Sequence, residues 1–158
     1  MQTRTRNCIV GLVALVLGLT ASPARAVDPI RDLCAATFTT DVTLTTTTET
    51  SVVASAECST AAATSRVTVL AWAQLTTGTA TTTVTPRIRR GSAATGTLVG
   101  EATAVTIGAA AGSTEQFLAI VTEERQATDR VQYNFTLQQA SATGNGSALQ
   151  GGIIVIVE

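Results

Sequence analysis

The stretch from Val42 to Cys58 keeps a two-residue phase. Even positions carry Val42, Leu44, Thr46, Thr48, Thr50, Val52, Ala54, Ala56 and Cys58, and odd positions carry Thr43, Thr45, Thr47, Glu49, Ser51, Val53, Ser55 and Glu57. Apart from Val53, the apolar residues fall on one side and both glutamates on the other. Successive side chains of a β-strand point to opposite faces, so this phase suits a half-buried strand. Threonine belongs there because its branched Cβ stiffens χ1 and packs well on a pleated surface. A glycan-bearing stalk would carry prolines and no phase. The tract, within a threonine-rich segment 37–58, therefore reads as one long strand or two, with Leu44, Thr46, Thr48, Thr50 and Val52 on a common face. Barely charged, that face is also a candidate for pairing edge to edge with another chain.

Strand-like segments continue along the chain. Val84, Pro86 and Ile88 alternate with Thr83, Thr85, Arg87 and Arg89, and Tyr133, Phe135 and Leu137 alternate with Asn134, Thr136 and Gln138. Pro86 donates no ladder hydrogen bond, which predicts that this strand lies at a sheet edge or contains a bulge. Arg66–Leu75, Phe117–Val121 and Ile153–Val157 are apolar on both faces and are predicted to be central strands, or strands buried between a sheet and a neighbouring subunit. Turn signals separate the segments at Thr77-Gly78, Arg90-Gly91-Ser92, Gly108 to Ser113, Thr128-Asp129 and Gly144 to Ser147. About seven or eight strands at this spacing predict an all-β antiparallel sandwich of jelly-roll type.

The first 26 residues differ in character. Arg4 and Arg6 precede the apolar run Cys8 to Ala21, and Ala24-Arg25-Ala26 offers a small-residue cleavage site. These are the three parts of a signal peptide, predicted as a leader helix over 1–26. The run of about 14 apolar residues falls short of the about 20 that span a bilayer, so a retained hydrophobic segment is the lesser alternative and no permanent span is expected after cleavage. Residues 27–158 then form a single domain, large enough to bury about two-thirds of its unfolded surface. Export exposes Cys34 and Cys58 to oxidants and makes them a disulfide candidate. A bridge requires the chain to reverse near Thr39 to Asp41 or within the threonine tract; otherwise the thiols are free or pair between subunits.

The sequence offers little reactive chemistry. The chain contains no histidine, which removes His-based triads, His metal ligands and an imidazole pH switch. Nucleophile-elbow, phosphate-loop, dinucleotide-binding and zinc motifs are missing as well. No catalytic residue, metal ligand or cofactor is expected. Glu123, Glu124 and Asp129 are interleaved with Arg125 and Arg130, which reads as a solvated, partly paired loop rather than a calcium or glycosidase site. All ten basic residues are arginine, and Arg87, Arg89 and Arg90 form a basic patch. Three arginines suit a phosphate or sulfated glycan, or an exposed strand face paired between subunits with the Glu123 and Glu124 loop. At a net charge of −1, no nucleic-acid partner is expected. Asn134-Phe135-Thr136 and Asn145-Gly146-Ser147 match the N-glycosylation pattern.

The short strands, the Tyr133-x-Phe135-x-Leu137 segment, the glycine-rich loop after it and the apolar strand Gly152–Val157 resemble the tumour-necrosis-factor and C1q-like jelly rolls over about residues 50–158. Phage virion structural proteins show a similar taste for Thr, Ala and Gly in segments like LAWAQLTTGTATTTVTPRIRRG. The resemblance implies a homotrimer, or a larger homo-oligomer, whose central strands pack around an axis. Leu70, Trp72, Tyr133, Phe135, Ile153 and Ile156 are the core or oligomer candidates. The resulting expectation is a non-enzymatic assembly subunit, secreted or on a virion surface. The alternative is a secreted monomeric module that binds carbohydrate or acts in adhesion.

Overall fold

The computed structural model describes residues 30–44, 47–60, 64–78, 80–91, 93–110, 112–126, 129–140 and 145–158. The leader expected over 1–26 lies outside the described residues, as do Thr46 of the threonine face and Ser92, Thr128 and Gly144 of the turn signals. The chain forms β1 (Asp32–Phe38), β2 (Val42–Leu44), β3 (Thr50–Ala54), β4 (Cys58–Ser59), β5 (Ser65–Thr76), β6 (Thr82–Arg90), β7 (Thr97–Glu101), β8 (Val105–Ile107), β9 (Thr114–Arg125), β10 (Arg130–Val131), β11 (Tyr133–Gln139) and β12 (Gly146–Val157), with a 3-10 turn at Ala93–Thr95.

Every pairing is antiparallel. The first sheet runs β1-β12-β5-β9, and β2 continues β1 along the same edge of β12. The second runs β3-β11-β6-β7, and β8 continues β7 along the same edge of β6. A ribbon of β4 with β10 adds to these. The two sheets enclose one core, which is why the inward positions of each strand are apolar at every second residue. Val67, Val69, Ala71, Ala73 and Leu75 of β5 and Ile153, Val155 and Val157 of β12 meet Val84 and Ile88 of β6 and Tyr133, Phe135 and Leu137 of β11. Phe117 and Phe135 span the sheets with ring centroids 5.5 Å apart. At one side the sheets come closer still: a Cβ on Gly100 of β7 would sit 2.0 Å from Cγ2 of Val121 on β9, so only glycine fits there.

Several sequence expectations change in this frame. The threonine tract is two strands rather than one long one, and they do not pair with each other, because β2 pairs with β12 in the first sheet and β3 with β11 in the second. The chain therefore changes sheets between Leu44 and Thr50, and its reversal lies in the tract, not at Thr39 to Asp41, where β1 and β2 run on in one direction. Leu44 is in the core, Thr48 lies in the crossing, and Thr50 and Val52 are half-buried on β3, an edge strand of the second sheet. Val53, the exception to the sequence phase, is explained by a bulge: Phe135 pairs with Val53 and Thr136 with Ser51, leaving Val52 as the extra residue and turning Val53 towards the core.

Pro86 is not on an edge strand, since β6 lies between β11 and the β7/β8 pair. Its carbonyl accepts from Ala102 N at 3.0 Å, in the gap where β7 has ended and β8 has not begun. The nitrogen of a strand residue points to the same side as its carbonyl, so the absent N–H costs no ladder bond. Among the three doubly apolar segments, β5 and β12 are central. Phe117–Val121 is not, because β9 pairs with β5 alone and forms the edge of the first sheet.

Candidate functional site

The two outer surfaces of the sandwich are built from opposite kinds of residue. Pairing register defines the outer face of the first sheet row by row. Leu33, Ile156, Thr68 and Thr122 form one row, Ala35, Ile154, Leu70 and Ile120 the next, and Thr37, Gly152, Trp72 and Leu118 a third. A fourth row, Gln150, Gln74 and Gln116, closes one end; Arg66 and Glu124, with Glu158 beside them, close the other. Neighbouring strands lie about 4.8 Å apart, so four strands make a plate roughly 14 Å across. Its middle is aliphatic and uncovered: Leu33 is 61 % exposed, Leu118 59 % and Ile120 58 %. Leu70, Trp72, Ile154 and Ile156 are half-buried beside them. No charged side chain interrupts these three rows.

Register thus divides the six core or oligomer candidates. Leu70, Trp72 and Ile156 point outward on this plate, whereas Tyr133, Phe135 and Ile153 are wholly buried between the sheets. Leu33, Leu118, Ile120 and Ile154 complete the plate and were not singled out from sequence as site residues. Leu118, Ile120 and Ile154 fall in segments recognised as doubly apolar, but Leu33 carries no such signal.

The outer face of the second sheet is mostly polar, with Leu98 of β7 exposed beside Arg89, and the arginines at its centre are covered. Arg87 and Arg89 of β6 and Thr136 and Gln138 of β11 point outward, and the chain crossing from β2 to β3 lays Glu49 over them. The Glu49 carboxylate accepts from Arg89 Nη2 at 2.6 Å, from Arg87 Nη1 at 3.1 Å and from the Thr136 hydroxyl. Arg87 also donates to Glu101 at 2.6 Å, and Arg89 to the Gly96 carbonyl at 2.9 Å. Burial opposes ionisation of Glu49, but the hydrogen bonds from Arg89, Thr136 and Arg87 outweigh it and hold the carboxyl below its ordinary value. Arg90 points inward and meets Glu123 of the same chain at 2.7 Å, and the Tyr133 hydroxyl donates to that carboxylate too. Burial first, and then the hydrogen bond to Glu123, push the Tyr133 phenol above its ordinary value. The three arginines of the basic patch are therefore each paired within the chain. Glu49, the residue that joins two of them, could not be found from local spacing because it lies about forty positions away.

The acidic segment is also engaged. Glu123 and Glu124 belong to β9 rather than to a loop, and Arg125 forks onto Asp129 at 2.7 and 3.0 Å. The Thr60 hydroxyl and Arg125 hold the Asp129 carboxyl below its ordinary value. Cys34 and Cys58 form a disulfide with Cα atoms 5.7 Å apart, tying β1 to β4. Asp32 lies within reach of both sulfurs, but its carboxylate accepts from the backbone N–H of Ser59 at 2.8 Å and of Leu33 at 2.9 Å. Asn134 of the first glycosylation pattern is buried and donates to the Gly91 carbonyl. Among the described residues, no helix is long and apolar enough to cross a membrane.

No family model matches the chain, and no curated protein matches it either.

Proposed function

We propose that the protein is a non-enzymatic structural subunit that self-associates through the aliphatic rows of its first sheet into a homotrimer or larger homo-oligomer. The observation that carries this reading is the uncovered plate of Leu33, Leu70, Ile120, Ile154 and Ile156. Isolated exposed leucines are ordinary, but aliphatic side chains adjacent in register on four neighbouring strands form a contiguous patch, and such patches mark interaction surfaces. The polar rows at both ends give the patch the anatomy of an interface, apolar at the centre and polar at the rim. The second sheet offers no comparable surface.

Strand order supports a jelly-roll assignment. If β1 with β2 and β7 with β8 each count as one position and the short β4–β10 ribbon is set aside, eight positions follow the chain, in the order 1-8-3-6 in one sheet and 2-7-4-5 in the other. Double-sheet sandwiches of eight strands built from two Greek keys have this kind of order, and they serve in capsids and lectins. The Cys34–Cys58 bridge is compatible with the extracellular or virion-surface location inferred from the leader.

Light scattering and sedimentation of the full chain over a wide concentration range test the proposal. The wild type is expected to sediment as an oligomer and Ile120→Asp as a monomer. Ile120 lies on an exposed edge position, so circular dichroism of the variant should stay native. A wild type that remains monomeric at the highest concentration, or an Ile120→Asp variant that assembles normally, overturns it.

A further inference from the structure

Beyond the aliphatic rows, the same sheet carries a cleft of about 760 Å³ that crosses β1, β12, β5 and β9. Its walls include Thr37, Trp72, Leu118 and the row Gln150, Gln74, Gln116. We propose that this cleft binds a neutral oligosaccharide chain, an activity that goes beyond self-assembly and shares Trp72 and Leu118 with the assembly rows, so that a saccharide and a neighbouring copy compete for them.

Three observations carry the inference. First, the lining holds no Asp, Glu or Arg, although the chain has 21 such residues, counted as 10 basic and 11 acidic. A phosphate, sulfate, carboxylate or cation would find no countercharge there, whereas an uncharged ligand loses nothing by entering. Second, the three glutamines sit on adjacent strands in one row, their backbone positions spaced by the strand separation of about 4.8 Å. Gln150 Nε2 donates to Gln74 Oε1 at 2.9 Å, which fixes both side chains and leaves the Gln74 amide hydrogens and the Gln150 carbonyl oxygen for a ligand. A line of paired donors and acceptors matches the hydroxyl groups along a sugar chain, each of which both donates and accepts.

Third, Trp72 is held as a platform beside that row. A Cβ at Gly152 would lie 2.5 Å from Cη2 and 2.6 Å from Cζ2 of Trp72, so the indole occupies the space that a side chain at this position would fill. The glycine on β12 thereby lets the ring lie down on the sheet at the cleft wall instead of standing away from it. An aromatic surface beside planar amides is what a ring with C–H faces and equatorial hydroxyls requires. The cleft's volume falls in the range of small-molecule sites, about 300–1,000 Å³.

Trp72 is the single tryptophan of the chain, so its emission reports on the cleft. The full protein is titrated with neutral hexasaccharides of glucose, xylose, mannose and N-acetylglucosamine, with a heparin-derived hexasaccharide as the charged comparator. The expected result is a saturable emission change and protection from acrylamide quenching with at least one neutral chain, and none with heparin. Gln74→Ala and Gln116→Ala should each weaken that binding about tenfold, and Gly152→Ala, by displacing the indole, should weaken it further. Calorimetry with the same saccharide checks each variant, and circular dichroism checks its fold. The proposal is overturned by four results: no saturable response to any neutral chain, binding indifferent to both glutamine substitutions, preference for heparin, or a Trp72 emission that changes only with protein dilution. The last would mean that a second copy fills the cleft.

Discussion

Replacing Glu49 by glutamine keeps the side chain's shape and removes the charge that joins Arg87 and Arg89. Glu49 is 10 % exposed at its side chain, and its two arginines are 20 % and 18 % exposed. Hydrogen bonds to charged groups contribute about 1.5–3 kcal/mol each, and breaking a fully buried ion pair costs about 3–5 kcal/mol. Here Arg87 keeps Glu101 and Arg89 keeps only the Gly96 carbonyl, so the loss falls at the lower end, about 3 kcal/mol. For a domain of this size that lowers Tm by about 10 °C. Glu101 provides the internal control: it is 47 % exposed and among the described residues its ion pair is with Arg87, so Glu101→Gln should cost no more than about 1 kcal/mol.

The pH dependence carries its own sign. The Glu49 carboxyl sits below its ordinary value of 4.5 when folded, so its stabilisation is fully present above that pH and is lost as pH falls through the lowered value. The gap between wild type and Glu49→Gln should thus be full at pH 7 and narrow progressively below pH 4.5. Urea unfolding followed by far-ultraviolet circular dichroism, at one protein concentration so that association does not shift the comparison, measures both quantities. A Glu49→Gln variant no less stable than Glu101→Gln, or a gap unchanged in acid, would refute the reasoning.

Two further outcomes follow from buried groups. Tyr133 is the single tyrosine and the chain has no lysine, so its phenol is the main side-chain titration above pH 9. Because its folded value is raised, stability should hold below the ordinary value of 10.0 and fall as pH climbs beyond it, while Tyr133→Phe should lose about 1–2 kcal/mol at pH 7 and flatten the alkaline slope. An alkaline unfolding series that is equally steep in the variant contradicts this. Reducing Cys34–Cys58, or substituting both cysteines by serine, should remove on the order of 3 kcal/mol. Peptide mapping after alkylation without reductant checks the bridge, and modification of both thiols would count against it.

Alternation made the sandwich legible because the inward residues of β5, β6, β11 and β12 repeat with period two over long runs. The same signal left β9 open between a central strand and one covered by a neighbouring subunit, and the pairing excludes the first. Phe117 to Val121 is apolar on both faces, and sequence cannot distinguish a face buried by a neighbouring strand layer from one left bare, since both carry leucine and isoleucine. Pro86 did not mark an edge, although the β6–β7 pairing does carry a register shift between Ile88 and Arg89. A missing donor is harmless wherever the adjoining edge is interrupted, and the break between β7 and β8 is a property of the pairing, not of the proline. Arg87, Arg89 and Arg90 were visible as a cluster and Glu123 as a partner, though expected from a neighbouring subunit, whereas Glu49 and Glu101 arrive only by the crossing between sheets and by strand pairing. Trp72 was noticed, whereas its surroundings were not, because the three glutamines are scattered over β5, β9 and β12 and meet only in register. The tract around Glu49 showed its phase plainly; the bulge at Val52 and the change of sheet needed the fold.

That crossing has a further consequence. By fastening Glu49 across two arginines, the chain blunts one broad side of the molecule with its own residues and leaves the other side with its aliphatic rows exposed. A building block that adheres on one side stops growing once that side is covered, because whatever it joins presents the blunt side outward. On the proposed contact, particles of this kind would close into small, countable sets, whereas an endless fibre would require a second adhesive surface.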